Sequence, residues 1–183
     1  MVFRSLALLA ALFALGACAS SRAPAVDPAF ETPYVLDAGD RLRVVVFGQE
    51  GLSNSYAVDG AGKIALPLIG AVEARGKTTQ DLGRTITARL RNGFVREPHV
   101  AVEVETFRPF FILGEVNTAG QYPYVNSMTV ETAVAIAGGF SPRAWRSHAT
   151  VGRLVDGLMV HATVPVAYPL RPGDTITIEE RWF

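Results

Sequence analysis

The sequence of 183 residues has few of the side chains on which most metal proteins and redox enzymes depend. It contains one cysteine and three histidines, so it can form neither a disulfide within the chain nor a thiolate metal cluster. Its 17 basic and 17 acidic residues give a net charge of zero, which excludes the basic surface that nucleic-acid binding requires. Hydrophobic residues make up 49% of the chain, and this fraction is ample for a packed core.

The longest apolar run is short and lies near the N-terminus. Residues 6–15 are all apolar, which is half of the roughly 20 residues that a membrane-spanning helix needs. The run follows Arg4 and precedes small residues, a pattern typical of a secretory signal peptide. We therefore predict that residues 1–17 are a signal peptide cleaved after Ala17.

The end of this segment resembles the lipobox of bacterial lipoproteins. It reads Leu15-Gly16-Ala17-Cys18, in which small residues give the peptidase access to the bond before the cysteine. The resemblance implies that Cys18 carries a thioether-linked lipid, and Ala19 after it points to the outer membrane. The alternative is an ordinary secretory peptide with an incidental cysteine. Residues 18–33 are mostly small or polar and include several prolines, so we assign them to a lipid-bearing, flexible tether.

A short motif occurs twice, at the two ends of the segment expected to fold. Tyr34-Val-Leu-Asp-Ala-Gly-Asp40 matches Tyr168-Pro-Leu-Arg-Pro-Gly-Asp174 at Tyr, Leu, Gly and Asp. In the second copy, proline and glycine suit the two central positions of a type II turn. Alternating apolar residues follow both copies, which predicts that each begins a half-buried strand. We interpret Gly39, Asp40, Gly173 and Asp174 as turn residues; chance similarity is the alternative.

The periodicity of the remaining sequence predicts an α+β fold. A helix is expected from Thr79, with Leu82, Ile86 and Leu90 on one stripe, and a second over 129–137. Hairpins are predicted within 56–70 and 150–164, each around an Asp-Gly turn. About ten strands and two short helices result. We expect two small β-rich modules, over residues 34–107 and 108–183, with the last strand closing the second.

Motifs of enzymes are incomplete or absent from the sequence. Gly76-Lys77-Thr78 imitates the end of a phosphate-binding loop, but Ala71 stands where its first glycine should be. Glu103 and Glu105 share one face of a predicted strand, which could suit carboxylate chemistry, although a solvated strand face explains them better. We therefore expect a protein that is not an enzyme and has no catalytic residue, metal site or cofactor.

Aromatic residues beside charged ones are candidates for contacts with other molecules. Trp145 lies between Arg143 and Arg146, and the sequence ends in Trp182 and Phe183. These five residues could contact a protein partner, a polymer or a membrane interface. The alternative for each aromatic residue is burial in the protein's own core.

The order of motifs resembles the outer-membrane polysaccharide export lipoproteins. The first half of the resemblance rests on the Tyr34 to Asp40 motif, on Val58-Asp-Gly-Ala-Gly-Lys-Ile-Ala-Leu-Pro-Leu-Ile-Gly-Ala-Val72, on Gly76-Lys-Thr-Thr-Gln-Asp-Leu82 and on Pro98 to Val104. The segments Gly114-Glu-Val116, Ala119-Gly-Gln-Tyr122 and Ala137-Gly-Gly-Phe140 are similar to the soluble-ligand-binding β-grasp (SLBB) module of the same family.

The resemblance implies a role in the export of capsular polysaccharide or exopolysaccharide. Its implied partners are the polysaccharide, an inner-membrane polysaccharide co-polymerase, an outer-membrane β-barrel and further copies of the chain. In the best-known form of the family, a C-terminal helix crosses the outer membrane, but only nine residues follow Asp174 here. We therefore expect a lipid-anchored adaptor on the periplasmic face that passes polymer to a separate β-barrel.

Two other functions stay open at this point. A periplasmic carbohydrate-binding lipoprotein without a transport role would have the same composition, and it would bind polymer as a monomer. A hydrolase or lyase acting on the polymer would need a site that the sequence does not reveal.

The predicted anchor is tested by Cys18→Ser. A serine hydroxyl does not form the thioether, so the protein should move from the membrane fraction to the soluble periplasmic fraction, as followed by immunoblotting. Retention of the variant in the membrane fraction would refute the anchor.

Overall fold

The computed structural model describes residues 33–155 and 157–181 and contains ten strands and two helices in that part of the chain. In chain order they are β1 (Arg41–Val46), β2 (Asn54–Ala57), β3 (Lys63–Leu66), β4 (Gly70–Glu73), α1 (Thr79–Arg91), β5 (Val100–Thr106), β6 (Phe110–Gly114), β7 (Gly120–Tyr122), α2 (Val130–Ile136), β8 (His148–Val155), β9 (Leu158–Pro165) and β10 (Thr175–Ile178). A 3₁₀ turn at Glu50–Leu52 precedes β2. The predicted signal peptide, the predicted lipidation site Cys18 and most of the predicted tether lie outside the described residues.

The first core forms between a three-stranded antiparallel sheet and helix α1. The sheet has the order β2-β1-β5, and alternate residues of β1 are buried, as the sequence pattern predicts. Thr78 caps α1 by accepting a hydrogen bond from the N–H of Asp81 at 3.1 Å. The apolar stripe of the helix then lies in the same core as β1, so this core includes Leu42, Val44, Val46, Leu82, Ile86 and Leu90.

The hairpin predicted within 56–70 is wrong in its strand pairing. The tight turn is present, since the N–H of Gly62 donates to the carbonyl oxygen of Asp59 at 2.9 Å. However, β2 pairs with β1, and β3 pairs with β4 in a separate two-stranded sheet. Leu68 and Gly70 both have positive φ and reverse the chain directly after β3, so β4 becomes its nearest partner.

The second core lies between a five-stranded sheet and helix α2. The sheet has the order β7-β6-β10-β8-β9, in which β10 runs parallel to β6 and antiparallel to β8. The second copy of the repeated motif therefore forms its strand pairs within the chain. A capping box of Thr129 and Thr132 starts α2. Among the residues that fill this core are Phe110, Ile112, Val130, Val134, Val151 and Ile176.

The predicted α+β class is confirmed, and the hairpin of β8 and β9 forms as the Asp-Gly turn predicts. The two predicted helices are also present. Neither helix in the described part of the chain combines the length and the apolar character that crossing a membrane would require.

Gly114 offers a test of how closely β6 and β10 approach. An added Cβ at this position would lie 2.1 Å from the carbonyl oxygen of Ile178, and φ is +84°. Gly48 also has a positive φ, +74°, but a Cβ there would meet no atom within 4 Å. Gly48→Ala should therefore lower the free energy of unfolding by only ~1–2 kcal/mol, the strain of a residue with a Cβ in the left-handed conformation. Gly114→Ala should lower the free energy of unfolding by clearly more, because β6 and β10 must separate.

Urea denaturation of the two variants measures this difference. Equal losses of stability would show that the backbone of β10 does not lie where the structure places it.

Candidate functional site

The two copies of the repeated motif have the same backbone geometry. Gly39 and Gly173 have φ of +92° and +86°, which only glycine adopts without strain. In each turn the N–H of the aspartate donates to the carbonyl oxygen three residues earlier at 3.2 Å. The side chains of Asp40 and Asp174 are both buried, and these two are the only buried charged or polar residues in the described ranges.

The first carboxylate is surrounded by hydrogen-bond donors. Asp40 accepts from the hydroxyl of Tyr34 at 2.5 Å, from the N–H of Asp37 at 2.9 Å and from the N–H of Arg108 at 3.0 Å. The guanidinium of Arg108 lies 3.3 Å from the same carboxylate and also donates to Tyr34 at 2.8 Å. Burial, together with the hydrogen bond to Asp40, raises the pKa of Tyr34, so its hydroxyl stays protonated as a donor.

The second carboxylate has an equivalent environment. Arg153 donates to Asp174 through Nε at 2.8 Å and through Nη2 at 2.7 Å, and the N–H of Arg171 donates to it at 2.7 Å. Burial alone would lower the pKa of Arg153, but its hydrogen bonds to Asp174 outweigh this effect and raise it. In both copies the guanidinium lies 5.7 Å from the ring centre of the motif tyrosine, Tyr34 or Tyr168.

The turns at Gly39 and Gly173 both lie against residues 107–109, the segment that links the two cores. A Cβ on Gly39 would lie 3.4 Å from Cβ of Arg108, and one on Gly173 would lie 2.7 Å from its Nε. Gly173 also donates its N–H to the carbonyl oxygen of Pro109 at 3.1 Å. Phe107 makes edge contacts with Tyr34 and Tyr124, at centroid distances of 5.0 and 5.6 Å. The repeated motif therefore forms the junction between the modules.

Trp145, Arg143 and Arg146 lie together on the exposed loop between α2 and β8. The backbone N–H of Trp145 donates to the backbone carbonyl oxygen of Glu179 at 2.8 Å. The backbone N–H of Arg181 donates to the backbone carbonyl oxygen of Arg143, also at 2.8 Å. Ala144 between them is buried in the second core, whereas 43% of the Trp145 surface is exposed. Trp182 and Phe183 lie outside the described residues.

One polar ring contacts the exposed indole, and further polar pairs form between the loop, β8 and the segment 179–181. The ring of His148 contacts the indole edge-on at a centroid distance of 5.5 Å, and Thr150 donates to Glu179 at 2.7 Å. Arg143 forms an ion pair with Glu180, in which its Nε donates at 2.7 Å, and this bond raises the pKa of Arg143. The loop therefore has a fixed pattern of donors and acceptors beside an apolar ring.

Two further surfaces stand out because they leave apolar side chains in water. The hairpin of β8 and β9 exposes a cluster at its tip, consisting of Leu154, Val155, Leu158, Met159 and Val160. A shallow groove of about 560 Å³ lies between α1 and the edge strand β5, where Gly83, Ala88, Val100 and Val102 line it with Arg84 and Arg91. Unpaired strand edges and apolar grooves of this kind suit strand addition by a partner.

No group of three or more potential metal ligands occurs in the ranges that the structure describes. Glu105 lies 3.6 Å from Arg41 in an exposed ion pair, and Glu103 is exposed opposite Arg43 on β1. The two glutamates thus lie on a solvated strand face.

The buried carboxylates can be tested by comparing two ion pairs. Arg153→Met keeps an apolar side chain but leaves Asp174 charged and unpaired in the interior, so stability should fall by roughly 3–5 kcal/mol. Arg143→Met breaks an exposed pair with Glu180 and should change stability little, because water and salt screen that pair.

Urea unfolding at pH 7 measures both variants, and Arg153→Met combined with Asp174→Asn should recover part of the loss. Similar effects of the two single variants would contradict the role given to the buried pair.

Comparisons with known proteins follow the same division of the chain. Residues 28–105 match the family described as polysaccharide biosynthesis/export protein, and residues 109–162 match the SLBB domain. The chain is 36% identical over 149 residues to the exopolysaccharide production protein ExoF of Rhizobium meliloti (strain 1021), and the match covers 75% of this chain and 33% of that protein.

A second relative is the polysialic acid transport protein KpsD of Escherichia coli. It is 26% identical over 115 residues, which are 62% of this chain and 21% of KpsD. The matched region therefore spans about a third of one relative and about a fifth of the other. The two domains in this order and the similarity to both relatives show that the chain belongs to the family of polysaccharide export proteins with an SLBB domain.

Proposed function

We propose that this protein takes part in the export of capsular polysaccharide or exopolysaccharide. The observation that carries the proposal is the export domain over 28–105 followed directly by the SLBB domain over 109–162. ExoF and KpsD, which are named for exopolysaccharide production and polysialic acid transport, add support. The protein would be held by a lipid on Cys18 at the periplasmic face of the outer membrane, and the tether over 18–33 would give its folded part some reach.

The proposed role is to guide polymer without making or breaking bonds. The buried ionisable groups support this view, because Asp40 and Asp174 are each fully occupied by structural partners. The glutamates at 103 and 105 lie on an open strand face and not in a cleft. Polymer would instead pass over an outer surface of the protein, from an inner-membrane co-polymerase to an outer-membrane β-barrel.

Two exposed surfaces support assembly with further copies of the chain. Strand β9 is the edge of its sheet and exposes almost every residue, including Leu158 at 72%. Strand β5 is the edge of the other sheet and borders the apolar groove. The β9 edge of one copy could add to the β5 edge of the next. Such a contact joins two different surfaces, so it forms a ring when the rotation between copies closes.

A deletion strain tests the export role. Without the gene, surface polysaccharide should be lost while its precursors are still made. The wild-type gene should restore export. Leu158→Glu should restore it poorly and should lose crosslinks between copies, because a carboxylate at the β9 edge would be desolvated in the contact. Val125→Glu, which changes an exposed apolar residue after β7, at the opposite edge of the same sheet, is the matched control and should behave as wild type.

Unchanged surface polysaccharide in the deletion strain would refute the proposal and favour a carbohydrate-binding lipoprotein without a transport role. Normal crosslinking of Leu158→Glu would remove β9 from the contact. Purification of the crosslinked protein from outer membranes should also recover a β-barrel partner, and its absence would count against the transfer step.

A further inference from the structure

We propose that Trp145 and Arg146 form a binding site for a carboxylate-bearing segment of a glycan chain, with a sugar ring stacked on the indole and its carboxylate paired with the guanidinium. This inference rests on the proposed export function and names the part of the surface that touches the polymer. It concerns only the loop between α2 and β8 and the segment 179–181 beside it.

The backbone of the loop is held in place with the indole exposed. The residue before it, Ala144, is buried in the second core, whereas 43% of the Trp145 surface is exposed. The N–H of Trp145 is bonded to Glu179, and the carbonyl oxygen of Arg143 is bonded to Arg181. A rearrangement of the loop backbone that buried the indole would break these bonds and leave backbone groups unpaired. The exposure of Trp145 is thus built into the fold.

The surroundings of the ring suit a sugar better than a membrane or an apolar protein surface. A pyranose ring has an apolar C–H face and hydroxyls at its rim, so it matches an aromatic face bordered by polar groups. Here Ser147 and His148 are exposed beside the indole and are bonded to each other at 2.9 Å, and Glu179 is held by Thr150. The exposed apolar cluster that a membrane would require lies elsewhere, on the hairpin of β8 and β9.

The charge beside the ring selects an acidic sugar. Arg143 is neutralised by Glu180, whereas Arg146 is exposed and has no hydrogen bond or ion pair with any residue of the described ranges. A free guanidinium binds a carboxylate through two parallel hydrogen bonds. Arg146 is exposed and directly follows Trp145 in the chain, so the proposal places its guanidinium at the rim of the stacked sugar ring. The backbone of the loop is already bonded to residues 179 and 181, so binding would order chiefly the side chain of Arg146.

Tryptophan fluorescence can report on this site directly. The sequence has two tryptophans, so Trp182→Phe leaves Trp145 as the single tryptophan, which is excited selectively at wavelengths that tyrosine does not absorb. The probes are short fragments of the polysaccharide that the host bacterium secretes, used as isolated and after chemical reduction of their carboxyl groups to alcohols. The full mature chain is titrated with each probe, and binding is measured in parallel by calorimetry. Vesicles of outer-membrane lipids serve as a separate arm.

Native fragments should shift and quench the fluorescence of Trp145, and carboxyl-reduced fragments should bind roughly tenfold more weakly. Arg146→Gln should weaken the native fragments by about the same factor and leave the reduced ones unchanged. Calorimetry should show that Trp145→Ala loses binding of both probes and that Trp145→Phe retains part of it. Phe47→Ala, which removes another exposed aromatic ring, is the matched control and should bind as wild type.

Several results would overturn the inference. Fragments that bind Trp145→Ala as well as wild type, or that do not bind wild type, would exclude this site. Equal binding of native and reduced fragments would exclude the acidic sugar, and a fluorescence shift with vesicles alone would assign the loop to a membrane interface. If deletion of the gene abolishes export while these binding results fail, only this inference is wrong. If deletion leaves export intact, the proposed function itself fails.

Discussion

Each module of this protein holds a carboxylate out of water, and the architecture depends on how those two charges are satisfied. A buried carboxylate is tolerated only when charged or hydrogen-bonding groups replace its hydration. Asp40 and Asp174 obtain these groups from their own turns and from Arg108 and Arg153, respectively. Both turns also lie against Arg108, which is two residues beyond the end of the last strand of the first module. One arrangement therefore starts β1, positions β10 and fixes the junction between the modules.

Local features of the sequence were sufficient to predict much of the fold. The two helices, the hairpin of β8 and β9 and the alternating burial of β1 all follow from periodicity and from turn residues close in sequence. Strand pairing was harder to predict, since β3 could pair with β2 or with β4. The turn at Leu68, where φ is positive, brings β4 beside β3. The insertion of β10 between β6 and β8 depends on contacts between residues more than 20 positions apart, which no local pattern encodes.

The same limit applies to the sites. The repeated motif identified Asp40 and Asp174, but its partners Arg108 and Arg153 lie outside the motif, 68 and 21 residues away, and carry no signal of their own. Trp145 could be selected from sequence because it stands between arginines. The hydrogen bond between the backbone of Trp145 and that of Glu179 could not be predicted, because the C-terminal segment lies beside the loop only in the folded second module.

The place of β10 in the sheet has a consequence for the order in which the two modules can fold. Phe111 and Thr175 are paired across neighbouring strands although 64 residues separate them. Pairing at such long range must wait until both strands are available, and it slows folding. If the chain crosses the inner membrane unfolded, the sheet of the second module cannot be completed until residues 175–178 have crossed. The first module, whose strands and helix end by residue 106, can close while translocation is still under way.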